Sequence, residues 1–289
     1  AGEGVVRINH APRAGEHIRR AGEDIRAGAE ILAAGTRLAP QDIGLAASVG
    51  LAKLPVFRRL RVAVFFTGDE LSLPGEPLKP GGIYNSNRYT LHGLLDGLGC
   101  EVHDLGIVRD TLEATRTALR AAAAAADVII TSGGVSVGEE DHVKAAVQAE
   151  GALDLWRIAI KPGKPLAFGK VSRGDTAAAF IGLPGNPVSA FVTFILLVRP
   201  YLLACQGARV TAPRALTLRA DFDWPQPDRR REFLRVRINA AGGLDLFPNQ
   251  SSGVLTSCAW ADGLVDNPPG RAVKRGEPVR FLPYAELLY

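Results

Sequence analysis

From residue 61 to about residue 205 the chain alternates short apolar, β-branched runs with longer runs of helix formers, and this alternation limits its fold more than any other feature. "RVAVFF" reads as a buried strand, and "NRYTLHGLLDGLG" (87–99) as a helix with Leu91, Leu94, Leu95 and Leu98 on one face. "EVHDLGIV" reads as a second strand, and "TLEATRTALRAAAAAA" as a helix with Thr111 at its N-cap. "DVIITS" is a third strand, "EDHVKAAVQAE" a helix, and "DLWRIAI" and "AAAFIGL" a fourth and fifth strand. "NPVSAFVTFILLVRPYLLA" is a long apolar helix capped by Asn186, with Pro187 at its first position. Strands separated by helices pair in parallel and are covered on both faces, so residues 61–205 are expected to form a doubly wound α/β domain.

Beyond residue 206 the pattern changes to short alternating segments broken by Gly, Pro, Asn and Asp: "LTLRADFDW", "EFLRVRINA", "GLDLFPN", "GLVDNP" and "EPVRFLPY". They predict a small all-β domain over 206–289. Residues 1–60 hold several short pieces, with a helix expected from Pro40, and read as an adjoining segment. The chain has no methionine, which makes it read as the C-terminal part of something longer.

Lys and Arg number 34 against 30 Asp and Glu, a balance that leaves no broad basic footprint for nucleic acid. Cys100, Cys205 and Cys258 are far apart and show no CxxC spacing, which disfavours a disulfide framework and a zinc site and fits a reducing cytoplasm. The apolar stretch Val188–Val198, closed by Arg199-Pro200, is read as too short to span a bilayer, and no signal peptide is evident.

In an open parallel sheet, ligands bind where loops leave the carboxyl ends of the strands. Four polar loops fall at such ends: "TGDEL" (67–71), "TSGGVSVGEED" (131–141), "KPGKP" (161–165) and "LPGNP" (183–187). The Gly133-Gly134 pair, flanked by Ser132 and Ser136, offers backbone N–H groups that suit an anionic oxygen or phosphate; a plain strand-to-helix turn is the alternative. Asp69, Glu70 and Asp141 beside such a cradle call for a hard cation such as Mg2+, which takes one or two carboxylates together with phosphate oxygens. Glu139 and Glu140 suit that role or simply the first turn of a helix. Lys161 and Lys164, each before a proline, suit a small oxyanion or an exposed basic turn. His142 reads as a surface residue, and no Walker loop, GxGxxG, HExxH or nucleophile elbow is present.

"TGDEL", "NSNR", "SGGVSVGEEDHVK", "AIKPGKPLAFGK" and "GLPGNPVSAFVTF", in this order, resemble the molybdopterin molybdenumtransferase family, the molybdenum insertases that include the E domain of gephyrin. The resemblance runs from "HIRRAGEDIRAG" to the C-terminal strands. It implies a molybdopterin-binding α/β domain, a β-barrel-like C-terminal domain, and a segment over 1–60 that belongs to a linker and dimerisation region. Family members also carry an N-terminal region with a "DGYA"-type motif, which these residues lack.

The implied reaction is Mg2+-dependent insertion of molybdate into adenylylated molybdopterin with release of AMP. The resemblance assigns Asp69, Glu70 and Asp141 to the metal, with Asp69 and Asp141 also serving the adenylate chemistry. It assigns Thr67, Gly68, Ser132, Gly133, Gly134, Ser136, Pro184 and Asn186 to the pterin nucleotide, and Lys161, Lys164 and Ser189 to molybdate or the bridging phosphates. Asp24, Arg235 and Ser252 are further substrate contacts in this scheme. A cytoplasmic homodimer is implied, with the molybdopterin adenylyltransferase and downstream molybdoenzymes as partners, and neither nucleic acid nor membrane. The alternatives are an adenylyltransferase, whose fold resembles residues 61–205 alone, and a non-catalytic pterin-binding scaffold of the gephyrin kind.

Overall fold

A computed structural model describes residues 4–135 and 142–288, and the chain divides into two units between Val56 and Phe57. The first unit is a succession of turns ending in helix α1 (Pro40–Ser48). Pro40 opens the helix, and the Asp42 carboxylate accepts the Ala39 N–H at 2.8 Å, satisfying a donor that lies before the first helical turn. Ala46 is the buried side chain of this unit, whereas Val5, Val6, Ile8 and Ile18 are exposed.

The second unit is built on a six-stranded sheet. Its strands are β1 (Arg61–Thr67), β4 (Glu101–Val108), β5 (Val128–Ser132), β6 (Gly151–Arg157), β8 (Pro165–Arg173) and β9 (Thr176–Leu183), in the order β4-β1-β5-β9-β8-β6. The short pair β2 (Leu71–Ser72) and β3 (Ile83–Tyr84) stands apart from it. Along β1 the side chains alternate between two buried faces: Val62, Val64 and Phe66 enter one core, Ala63 and Phe65 the other. Helix α2 (Ser86–Gly97) and the long helix after β9 cover the first face, while α3 (Leu112–Ala125) and α4 (His142–Glu150) cover the second. Phe65, Phe66 and Phe180 are fully buried, each contributing about 1.5–3 kcal/mol through apolar surface removed from water. Thr111 caps α3 as expected, its Oγ1 accepting the Ala114 N–H at 3.3 Å.

The sheet is mixed rather than all parallel. Strands β4, β1, β5 and β9 run parallel, but β8 pairs antiparallel with both β9 and β6. The strand "PLAFGKVSR" was not anticipated; it turns back into β9 through Gly174, at φ 56° in the left-handed region. Because β8 runs backwards, its first residues lie beside the carboxyl ends of β5 and β9, with Ala167 opposite Gly182.

The last helix has the expected extent, and it runs on past the apolar stretch that ends at Val198. Arg199-Pro200 does not close it: α5 (Pro187–Thr193) passes through a π-helical turn (Phe194–Val198) into α6 (Arg199–Cys205). The wide turn before Pro200 accommodates the missing N–H and the ring. At 19 residues this helix is long and apolar enough to cross a membrane by length and composition, yet 67% of it is buried against the sheet and the C-terminal domain.

The C-terminal strands are β10 (Leu216–Arg219), β11 (Arg231–Ile238), β12 (Leu244–Leu246), β13 (Gly263–Asn267) and β14 (Pro278–Pro283), in the order β10-β14-β13-β11-β12. Ala220, Phe222, Leu234, Val236 and Phe281 fill their own core. Phe233, Leu264 and Leu282 face the other way and join the α/β core. Short helices α7 (Thr256–Trp260) and α8 (Tyr284–Leu287) sit in this joint, where Tyr284 meets Phe191 edge to face at 5.5 Å. One further strand, β7 (Ile160–Lys161), leaves the α/β segment and pairs parallel with β11.

Candidate functional site

Three adjacent parallel strands, β1, β5 and β9, deliver the loops "TGDEL", "TSGG" and "LPGNP" to one edge of the sheet. Asn87, from the first turn of α2, ties two of them together: its Nδ2 donates to Ser132 Oγ at 2.8 Å and to the Gly185 carbonyl at 2.8 Å. Ser132 Oγ in turn donates to the Pro184 carbonyl at 2.9 Å, and the Gly133 N–H to the Leu183 carbonyl at 3.3 Å. The Ser132 hydroxyl and the Gly133 N–H, expected to face a ligand, therefore join loop to loop; Ser132 is only 2% exposed.

The glycines fit a tightly closed turn. Gly133 and Gly134 have φ of 97° and 63°, values an L side chain rarely adopts. A Cβ at Gly133 would stand 2.3 Å from the Thr67 carbonyl, and one at Gly134 would stand 2.5 Å from Val143 Cγ2 and 2.7 Å from Thr67 Oγ1. Thr67 Oγ1 is buried and has no hydrogen-bond partner among the described residues, an open donor against the glycine pair. At Gly68 a Cβ would meet the Glu70 carboxylate at 2.6 Å, so glycine there lets Glu70 fold back over the turn. Asp69 and Glu70 are exposed. Ser136, Glu139, Glu140 and Asp141 lie outside the described residues, and among those described no group of three or more His, Cys, Asp or Glu side chains is placed to hold a metal. Asp69 and Glu70 still supply the one or two carboxylates that Mg2+ needs beside phosphate oxygens.

The lysine turn sits at the same edge, ahead of β8. Lys164 is exposed, whereas Lys161 is held: its Nζ is 3.2 Å from Glu232 Oε1 and 3.4 Å from Asp228 Oδ2. The Arg230 side chain, then its backbone N–H, hold the Asp228 carboxyl well below the usual carboxylate range, and Lys161 adds to the effect. The Gly163 backbone packs on Thr193, whose Oγ1 would be 2.4 Å from a Cβ there.

The C-terminal domain closes the edge through residues 249–253. The Ser252 carbonyl accepts the Val188 N–H at 3.1 Å, and Ser252 Oγ accepts from Asn186 Nδ2 at 3.2 Å. This corrects the expected role of Asn186. It occupies the cap position, but its side chain makes no bond to the helix, and the Ser252 main chain caps α5 instead. Ser189, in the first turn, is 4% exposed. Arg235, expected to contact an anion, is 1% exposed: its guanidinium donates to Ser257 Oγ at 3.1 Å, the Phe233 carbonyl at 3.1 Å and the Ser251 carbonyl at 3.4 Å. These acceptors are neutral, and burial pushes the guanidinium pKa down from its usual value. Arg235 thus supports the 249–253 loop from below, helped by Gln250, whose Nε2 donates to the Arg235 carbonyl at 3.0 Å. Arg231 pairs with the buried Asp266 at 2.7 Å. Asp24 is an exposed residue of the first unit.

Sequence reading thus missed Asp228, and gave no framing role to Asn87 of "NSNR", Glu232 of "REFLR" or Gln250 of "NQSSG", motifs whose resemblance points to the substrate. Only Glu232 carried a clear signal, an acid in register with the inward-facing Leu234 and Val236 of an alternating strand.

A mixed α/β sheet whose strand-end loops are capped by a C-terminal β domain is an architecture that binds ligands at those strand ends. Residues 63–204 match the family described as "Probable molybdopterin binding domain", residues 217–284 the "MoeA C-terminal region (domain IV)", and residues 2–50 the "MoeA N-terminal region (domain I and II)". The chain belongs to the MoeA family, that of the molybdopterin molybdenumtransferases. A molybdopterin molybdenumtransferase of Haemophilus influenzae is 47% identical over 207 residues, covering 72% of this chain and 50% of its own. One from Nostoc is 34% identical over 278 residues, covering 94% and 64%. The crystal structure of the molybdopterin biosynthesis MoeA protein from Pyrococcus horikoshii superposes with a TM-score of 0.78 at 32% identity, over 91% of this chain and 64% of that one. The chain therefore spans between half and two thirds of the length of these relatives.

Proposed function

We propose that this chain carries the substrate site of a molybdopterin molybdenumtransferase, at which molybdate enters adenylylated molybdopterin and AMP is released. The observation that carries the reading is the convergence of the "TGDEL", "TSGG", "LPGNP" and "KPGKP" loops at one sheet edge, under the 249–253 loop of the β domain. The names of the relatives support the same reaction.

In this reading the closed turn at Gly133 and Gly134, floored by the Thr67 hydroxyl, receives the pterin's phosphate end. Gly68, Pro184, Asn186 and Ser252 border the nucleotide. Lys161, Lys164 and Ser189 serve the molybdate or the bridging phosphates, acting by position and charge rather than by covalent attack. Asp69 and Glu70, together with Asp141, hold Mg2+, which neutralises the pyrophosphate when bound. We also assign to the protein a cytoplasmic homodimer, supported by the exposed Val5, Val6, Ile8 and Ile18 of the first unit.

The test is AMP release from adenylylated molybdopterin by this chain, anaerobically, with Mg2+ and with or without molybdate. Molybdate-dependent release is expected. Nucleotide binding with no molybdate-dependent release would overturn the insertase reading in favour of a binding role.

A further inference from the structure

Lys161 and Glu232 lie on different domains and are brought together by main chain. Strand β7 pairs with β11 so that Lys161 stands opposite Glu232 and Ile160 opposite Arg231, while the Arg231 N–H donates to the Ala159 carbonyl at 3.1 Å. The Glu232 side chain is fixed from behind. It belongs to a residue 1% exposed, and its Oε2 accepts from Trp224 Nε1 at 2.8 Å and from Asn267 Nδ2 at 3.4 Å. Both of those donors are neutral, so the cation bonded to the buried charge is Lys161, at 3.2 Å from Oε1, with Arg230 adding attraction from farther off. Asp228, the second acid near Lys161, already has its own cation: Arg230 donates to its two oxygens at 3.0 and 2.9 Å.

An ammonium has three donors. Glu232 takes one of those on Lys161, Asp228 stands beside the ammonium as an ion pair at 3.4 Å, and the side chain remains 38% exposed, which leaves donor capacity toward solvent at the loop edge. A lysine on a four-carbon stem would otherwise sample many positions and lose that freedom on binding. We propose that Glu232 is a positioning residue of this site: it holds Lys161 with one donor aimed at an incoming tetrahedral oxyanion, and so sets the affinity for that oxyanion. The proposal rests on the reading of the site given under Proposed function. Glutamine at this position has the same shape, but Trp224 and Lys161 donate to different oxygens of Glu232, so its carbonyl oxygen answers one of them and its NH2 opposes the other.

Two measurements on Glu232→Gln test it. In AMP release, the molybdate concentration for half-maximal rate is expected to rise about tenfold or more, with the rate at saturating molybdate within about twofold of wild type. Trace acetylation followed by peptide mass analysis is expected to show Lys161 labelled several-fold faster, with Lys164 unchanged. Trp224→Phe, which removes one support of the carboxylate and keeps every charge, should move both readouts in the same direction by less, and serves if the glutamine variant does not fold. In a Lys161→Ala background, Glu232→Gln should add no further change in molybdate dependence. An unaltered half-saturation, unaltered Lys161 labelling, or an additive effect in the alanine background each overturns the proposal. If the wild type shows no molybdate-dependent release, the insertase reading fails, and the labelling ratio alone still decides whether Glu232 holds Lys161.

Discussion

Asn87→Ala should loosen the site more than any other change of one small polar side chain on α2. The substitution removes an amide that donates to Ser132 Oγ and to the Gly185 carbonyl, each at 2.8 Å, from a residue only 9% exposed. Each such bond is worth about 1 kcal/mol net, and a buried acceptor left alone costs about 1–3 kcal/mol. Ser132 Oγ keeps its own donation to Pro184, and the exposed Gly185 carbonyl can turn to water, so neither acceptor is left buried and alone. The two lost bonds sum to about 2 kcal/mol, or roughly 4–8 °C in Tm for a unit of this size. Asn85→Ala is the control on the same helix. It loses one cap bond, from the Arg88 N–H at 3.1 Å, and also removes an unpartnered buried Nδ2, so its cost should stay at or below about 1 kcal/mol. Thermal unfolding of both variants beside wild type decides the matter. A melting point for Asn87→Ala within 1 °C of wild type, or above that of Asn85→Ala, would refute the assignment of Asn87 as the tie between the loops.

Two further perturbations follow. Gly134→Ala must adopt φ 63° and place its Cβ against Val143 and Thr67; it should cost about 2–4 kcal/mol in urea unfolding. Gly174→Ala, at φ 56° with open space around it, should cost only about 1–2 kcal/mol, and equal losses at the two sites would refute the crowding argument. The carboxylate of Asp127, bonded first by Arg58 and also by Arg61, has its pKa lowered from the ordinary value. The stability it confers is therefore present above its unfolded pKa, about 3.9, and fades as pH falls below that toward the folded value. Asp127→Asn should be less stable than wild type by about 2 kcal/mol at pH 7, with the gap closing below about pH 4; a gap constant down to pH 2 would show that charge is not its source.

The sequence made some of this plain because periodicity reports burial directly. The leucine face of α2, the Thr111 cap and the five C-terminal strands are all local patterns, and each appears where it was expected. What it concealed depends on contacts between distant segments. "PLAFGKVSR" looks like the end of a basic loop until its pairing with β9 makes it a strand. Asn186 has the residue type and position of a cap, but Ser252, 66 residues away, supplies the bond. Arg235 looks like an anion contact in a row of arginines, and only the packing of Phe233, Ser251 and Ser257 around it shows that its charge faces inward. Glycines are legible because they mark backbone shape; Asn87 is not, because an asparagine in a first helical turn gives no sign of which loops it will hold.

The passage of β7 into the neighbouring sheet has a consequence for how the chain may be divided. A fragment beginning near residue 206 would contain all five C-terminal strands, yet β11 would lose the main-chain partner that now covers Arg231 and Glu232. It would present a bare stretch of strand edge beside a buried carboxylate that has lost its bonded cation, the kind of edge that recruits another chain. Where the sequence changes from helices to strands is thus a boundary of composition, and the fold continues across it.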